Sequence, residues 1–179
     1  MKEIETKVLE VNKDEIIEKL KALGATETQN TRLTVDWYSM PDTDIDKNPW
    51  YLRVRKTTDG KSEISWKSLP TFVGNTRQSK EINLNISDFE GGKNILGAIG
   101  LVNYAHQEKD RHSFILKDWN FDIDTYPNMP TYLEIEGNSV EHIREAMEML
   151  EILNHESISE GERKLIDERY KLNWCDMRF

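Results

Sequence analysis

Glu3-Ile4-Glu5-Thr6-Lys7 stands at the start of the chain, with two carboxylates and a lysine at every second position. In a strand, alternate side chains share a face, so Glu3, Glu5 and Lys7 present charge together while Ile4 and Val8 turn the other way. The same alternation recurs in Leu52-Arg53-Val54-Arg55, Ile64-Ser65-Trp66-Lys67, Phe121-Asp122-Ile123-Asp124 and Leu133-Glu134-Ile135-Glu136. Collected by phase, the charged positions include the carboxylates Glu3, Glu5, Glu81, Asp124, Glu134 and Glu136 and the bases Lys7, Arg53, Arg55, Lys67, Lys109 and Arg111. Acid-x-acid pairs near both ends offer hard oxygen ligands, which suit Mg²⁺ or Mn²⁺ and not Zn²⁺. The four histidines, at 106, 112, 142 and 155, are scattered and read as surface or packing residues. Arginines and lysines in such number suit phosphate oxygens, Arg53 and Arg55 by bidentate contact. Bases facing a carboxylate-held metal are what phosphoryl chemistry requires. The chain has no glycine-rich phosphate loop, so side chains would have to hold the phosphates.

Two arrangements of strands would position these groups. In an ordinary sheet the apolar face is the core and the charges meet bulk water. In a closed barrel of about eight strands the charges line a lumen wide enough for a small ligand, and helices cover the apolar outside. Mixed charges stay ionised in such a lumen only when paired with one another, a metal or a polyanion. The spacing predicts helices over 13–23, near 93–99 and from Ser139, with a last one opened by Ser159 and Glu162. Strands are expected at 32–38, 50–57, 62–68, 77–86, 119–125 and 131–137. A further hairpin is expected from 101–109 and 111–117. Runs of strands and helices in meander order point to an α+β fold with a large antiparallel sheet.

Composition narrows the classes. A chain of 179 residues is read as one domain over 1–179, with 154–179 as a C-terminal helical extension. Its net charge of −9 disfavours a sequence-independent nucleic-acid surface. The single cysteine, Cys175, forms no internal disulfide and suits a reducing compartment. With no apolar leader and no long apolar run, the expectation is a cytoplasmic protein without a membrane partner. A homodimer is left open.

Taken together, the motifs resemble the CYTH superfamily of triphosphate tunnel metalloenzymes, which includes class IV adenylate cyclases, thiamine triphosphatases and inorganic tripolyphosphatases. Glu3-Ile4-Glu5-Thr6-Lys7 matches the family's ExExK signature, and Arg53-Val54-Arg55, Trp66-Lys67, Lys109-Asp110-Arg111, Asp124 and Glu134-Ile135-Glu136 follow in the family's order. The resemblance covers about residues 2–153. It implies an eight-stranded antiparallel barrel, or tunnel, with helices on its outer face. It also implies Mg²⁺ or Mn²⁺ held by Glu3, Glu5, Asp124, Glu134 and Glu136. Lys7, Arg53, Arg55, Lys67, Lys109 and Arg111 would then grip the triphosphate. Where the family often carries a second acidic pair, this chain has Glu81-Ile82-Asn83, and Asn83 brings no charge.

The expected function is a metal-dependent triphosphatase acting on tripolyphosphate, a nucleoside triphosphate or thiamine triphosphate, with Glu5 or Lys7 near the attacking water. Lys7 serves as a base only if neighbouring cations lower its pKa. The alternatives are an adenylate cyclase, in which the ribose hydroxyl attacks the α-phosphorus, and a polyphosphate or nucleotide sensor without turnover. Arg77 is a further phosphate contact or a surface residue, and Asp122 shares the phase of Asp124. Trp37, Trp50 and Trp66 are read as packing residues in preference to stacking platforms.

Overall fold

Alternation becomes strand almost wherever it occurs. The computed structural model describes residues 4–45, 47–48, 50–69, 71–73, 76–78 and 80–179, with backbone only for 71–73 and 76–78. Glu3 and the Arg77 side chain therefore lie outside the described residues. The strands are β1 (Ile4–Val8), β2 (Thr26–Ser39), β3 (Trp50–Thr57), β4 (Ser62–Ser68), β5 (Thr71–Val73), β6 (Thr76–Gln78) and β7 (Glu81–Ile86). After them come β8 (Val102–Leu116), β9 (Trp119–Thr125), β10 (Tyr132–Gly137), β11 (Ser157–Ile158) and β12 (Asp176–Met177). The helices are α1 (Lys13–Ala22), α2 (Phe89–Ala98), α3 (Val140–Met149) and α4 (Glu162–Lys164), the last running on as a π-helical turn over Leu165–Arg169.

Among the described residues, ten strands hydrogen-bond in the order β11-β1-β10-β9-β8-β2-β3-β4-β7, with β12 beside β8. The α+β class and the antiparallel sheet are as expected, apart from β12, which runs parallel to β8, and eight of the ten strands form the expected set. The other two, β11 and β12, are two residues long. Among the described residues, hydrogen bonding does not close the sheet. The physical reason lies at β1, which pairs with β10 on one edge and with β11 on the other, Lys7 opposite Ile158. That second edge is the one a closing strand would need.

Two compact units divide the chain, Met1–Thr31 with Lys109–Leu172, and Arg32–Glu108 with Asn173–Phe179. In the first, α1 and α3 lay Ile16, Leu20, Ile143, Ala146 and Met147 on Val8, Phe121, Ile123, Leu133 and Ile135. Asn12 caps α1 as its spacing from Glu15 predicts, accepting from the Asp14 and Glu15 backbone N–H groups. Gly24 ends that helix at φ +82. In the second unit, α2 sets Phe89 and Leu96 against Tyr38, Leu52 and Val54.

Three local expectations change. The hairpin expected around Asp110 is one continuous strand, because Lys109-Asp110-Arg111 keeps the alternation and Asp110 stays in register with Thr125. The strand expected over 77–86 breaks, with 76–78 pairing with β5 and 81–86 joining the large sheet. Helix α2 starts at Phe89, so Gly91 and Gly92 lie inside it. A Cβ on Gly92 would come within 2.6 Å of the Ile86 Cδ1, so the glycine permits close packing of helix on sheet.

Candidate active site

Strand register decides which charged side chains meet in the first unit. Antiparallel pairing sets Glu5 opposite Glu136 and Lys7 opposite Glu134 between β1 and β10, and Glu134 opposite Asp122 and Tyr132 opposite Asp124 between β10 and β9. On β8, Arg111 faces Asp124 and Ser113 faces Asp122. Each of these side chains lies on the face opposite the one that packs against α1 and α3.

The Lys7 ammonium, whose side chain is 3% exposed, lies 2.9 Å from a Glu134 carboxylate oxygen and 3.7 Å from Glu5. Burial alone would lower its pKa, but Glu134, Glu5 and Glu162 outweigh that and hold it above its ordinary value. Lys7 is therefore a fixed cation here. The lowered pKa that would make it a base is reversed, because its nearest neighbours are anions and not cations.

Asp124 is fully buried and surrounded by donors. Arg111 donates to it from Nε at 2.7 Å and from Nη2 at 2.6 Å, Lys109 Nζ at 2.8 Å and the Tyr132 hydroxyl at 3.1 Å. Burial works against its charge, but Arg111 and Lys109 hold the carboxyl below its ordinary value. Asp122 pairs with Arg111 Nη1 at 2.5 Å and accepts from Ser113 at 2.5 Å. Burial, aided by Asp124 and Glu134, nevertheless lifts its pKa.

The most informative residue here escaped the sequence reading. Glu162 on α4 accepts from Lys109 at 2.5 Å, from Tyr132 at 2.8 Å and, on its other oxygen, from Tyr126 at 2.9 Å. Lys109, then Lys7 and Arg111, overcome its burial and hold it well below the carboxylate range. Burial, Glu162 and Asp124 push both tyrosines well above 10, so they remain donors. The spacing from Ser159 marked Glu162 only as a helix-opening residue. Tyr132 could have been found, since it shares the phase of Glu134 and Glu136.

The second unit carries Arg53, Arg55, Lys67 and Glu81 on adjacent strands. Arg55 Nη2 lies 2.9 Å from Glu63, which also accepts from Ser65 at 2.5 Å, and Lys67 lies 3.3 Å from Glu81. Burial opposes the charge of Glu81, while Lys67 and Arg53 hold its pKa down. Trp50 and Trp66 pack with the α2 cluster, as expected of packing residues. Trp37 does more. It donates to Gln107 at 2.8 Å, tilts against Trp174 at 5.2 Å and has the Arg53 guanidinium 5.5 Å from its ring centre. Among the histidines, His142 stacks on Trp119 at 4.1 Å and His112 packs on Phe114.

The CYTH domain family matches residues 1–165. This chain belongs to the CYTH family. The match runs past the motifs read from the sequence and takes in Glu162. Solved structures share the CYTH fold at low identity. The PH1012 protein of Pyrococcus horikoshii is 23% identical with a TM-score of 0.67, over 86% of this chain and 94% of that one. An adenylate cyclase candidate from Vibrio parahaemolyticus is 14% identical with a TM-score of 0.70, over 93% and 98%. An adenylyl cyclase candidate from Hippeastrum with a dominant triphosphatase activity is 13% identical with a TM-score of 0.67, over 97% of each chain. No curated protein matches the chain.

Members of the CYTH family are triphosphatases or adenylate cyclases and are metal-dependent in general. Among the described residues, no group of three or more His, Cys, Asp or Glu side chains is arranged to hold a metal. The donor chemistry nonetheless fits a hard divalent cation. Glu5 and Glu134 already share one cation, the Lys7 ammonium, and Glu136 lies opposite Glu5 in register. Among the described residues, no helix is long and apolar enough to cross a membrane.

Proposed function

We propose that this CYTH domain is a Mg²⁺- or Mn²⁺-dependent triphosphatase acting on inorganic tripolyphosphate or another compact triphosphate. The observation that carries the reading is Lys7. It is buried, held as a cation and flanked by Glu5 and Glu134, which supports a grip on anionic oxygen beside oxygen donors for a metal. Glu5, Glu134 and Glu136, with the expected Glu3, would hold the metal, which supplies charge neutralisation at phosphate oxygens, while Asp124 would anchor Lys109 and Arg111. Lys7, Lys109 and Arg111, and the sequence-expected Arg53, Arg55 and Lys67, would bind the phosphate oxygens and stabilise charge developing at the transferred phosphorus. Glu5, half-exposed beside Lys7, would orient the attacking water. Lys7 keeps its proton throughout. The substrate would be a small molecule, with no nucleic acid or membrane involved.

A substrate panel tests this. With Mg²⁺ or Mn²⁺ present, tripolyphosphate should release orthophosphate with a kcat/KM at least equal to that for ATP, and EDTA should abolish turnover. Thiamine triphosphate belongs in the same panel. ATP converted to cyclic AMP and pyrophosphate, with tripolyphosphate left intact, would transfer the chain to the cyclases. Tight binding without turnover of any triphosphate would make it a sensor.

A further inference from the structure

The strand that ends the sheet opposite β11 is unlike the others. From Glu81 to Asn85 every residue of β7 is exposed, with Ile82 at 52% and Leu84 at 59%. The strand pairs with β4 on one edge, and among the described residues no strand pairs with the other. Helix α2 covers Val54, Ile64 and Ile86 around Gly92 but leaves Ile82 and Leu84 bare. An open edge is a template for another strand, and proteins usually blunt it with proline, lysine or a bulge. Glu81-Ile82-Asn83-Leu84-Asn85-Ile86 contains neither proline nor lysine.

We propose that β7 is a self-association surface on which a second copy of this chain adds its own β7, antiparallel, about a two-fold axis at Leu84. Directly opposed residues in an antiparallel pair share a face, so a two-fold axis must pass through a residue position. Centred on Leu84, Leu84 meets the partner's Leu84, Ile82 the partner's Ile86 and Asn83 the partner's Asn85. The same register sets Glu81 against the partner's Ser87 and Lys80 against the partner's Asp88. Centring on Asn83 would bring Lys80 against the partner's Ile86, and centring on Asn85 would bring Ile82 against the partner's Asp88. Only the Leu84 register joins apolar to apolar and opposite charges to each other. Lys80 and Asp88 are both exposed, and Asp88 starts α2 without a side-chain capping bond, which leaves its carboxylate available. An isologous two-fold contact of this kind is the commonest route to a dimer.

The experiment is sedimentation of the full chain together with site-directed crosslinking, and it is independent of the catalytic reading. Wild type should sediment at twice the chain mass in the micromolar range, and Leu84→Lys as a folded monomer by circular dichroism. Lys80→Asp should weaken dimerisation by about tenfold or more, and adding Asp88→Lys should restore it. On a Cys175→Ser background, Leu84→Cys should crosslink to its own copy under mild oxidation. Ile82→Cys, opposite the partner's Ile86, should not. A monomeric wild type would overturn the proposal and mean that β7 is covered from within the chain or by a different protein. A dimer that survives Leu84→Lys and fails to crosslink at Leu84→Cys would overturn it equally, by placing the interface elsewhere.

Discussion

The charged faces of the two units carry the same alternation, yet solvent treats them differently. In the first, Lys7 and Asp124 are buried and each charge meets its complement at hydrogen-bond distance, with two tyrosine hydroxyls completing the set around Glu162. In the second, Lys67 is 43% exposed and pairs only loosely with Glu81. A desolvated network ties charge to fold, since removing one member strands the others in low dielectric. A solvated pair can exchange its partner for a ligand at little cost to stability. The first face is thus tied to the fold, while Lys67 and Glu81 on the second can change partners at little cost to it.

That contrast breaks most readily at Asp124. Asp124→Ala should destabilise the fold by about 3–5 kcal/mol in denaturant unfolding, because Arg111 and Lys109 lose a buried counter-charge together. A loss below about 1 kcal/mol would mean that water reaches the network.

Arg55→Ala should do the reverse. We expect a loss of about 2–4 kcal/mol in transition-state stabilisation, read from kcat/KM for tripolyphosphate, with a loss of stability well below that of Asp124→Ala. Equal damage to folding and activity would erase the distinction between the faces.

Glu162→Gln should cost about 1.5–3 kcal/mol at neutral pH, the scale of hydrogen bonds to a charged group. Because its folded pKa is depressed below the ordinary 4.5, the wild-type carboxylate contributes stability above that pH and loses it as the pH falls. The gap between wild type and variant should therefore close in acid, and a gap independent of pH would refute the charge assignment.

Smallest of all, Lys67→Ala should change stability by about 1 kcal/mol or less and respond to salt, as expected of an exposed pair.

Much of this was legible because a period of two leaves no freedom. Once Ile4, Val8, Ile123, Leu133 and Ile135 are assigned to the core, Lys7, Asp124 and Glu134 must share the other face. The α1 cap was equally plain, since Asn12 and Glu15 interact over three residues. What escaped was nonlocal or ambiguous. Lys109-Asp110-Arg111 reads as a polar turn as readily as a strand, and only pairing with Thr125 decides between them. Gly91-Gly92 reads as a helix breaker until Ile86 is seen to require the space. Glu162 belongs to no strand, so no periodicity could aim it at Lys109. The protonation of Lys7 depends on carboxylates from β10 and α4, which one strand's sequence does not contain.

The discontinuous course of the first unit also bears on how the chain is made. Strand β1 is made well before its partner β10, with β2 to β9 synthesised in between. Residues 32–108 emerge in one run and can condense on local contacts meanwhile. The first strand must wait for that pairing, and closing so long a loop makes its docking a late and slow step. The charges of Glu5 and Lys7 at alternate positions of that waiting segment are of the kind that disfavours aggregation.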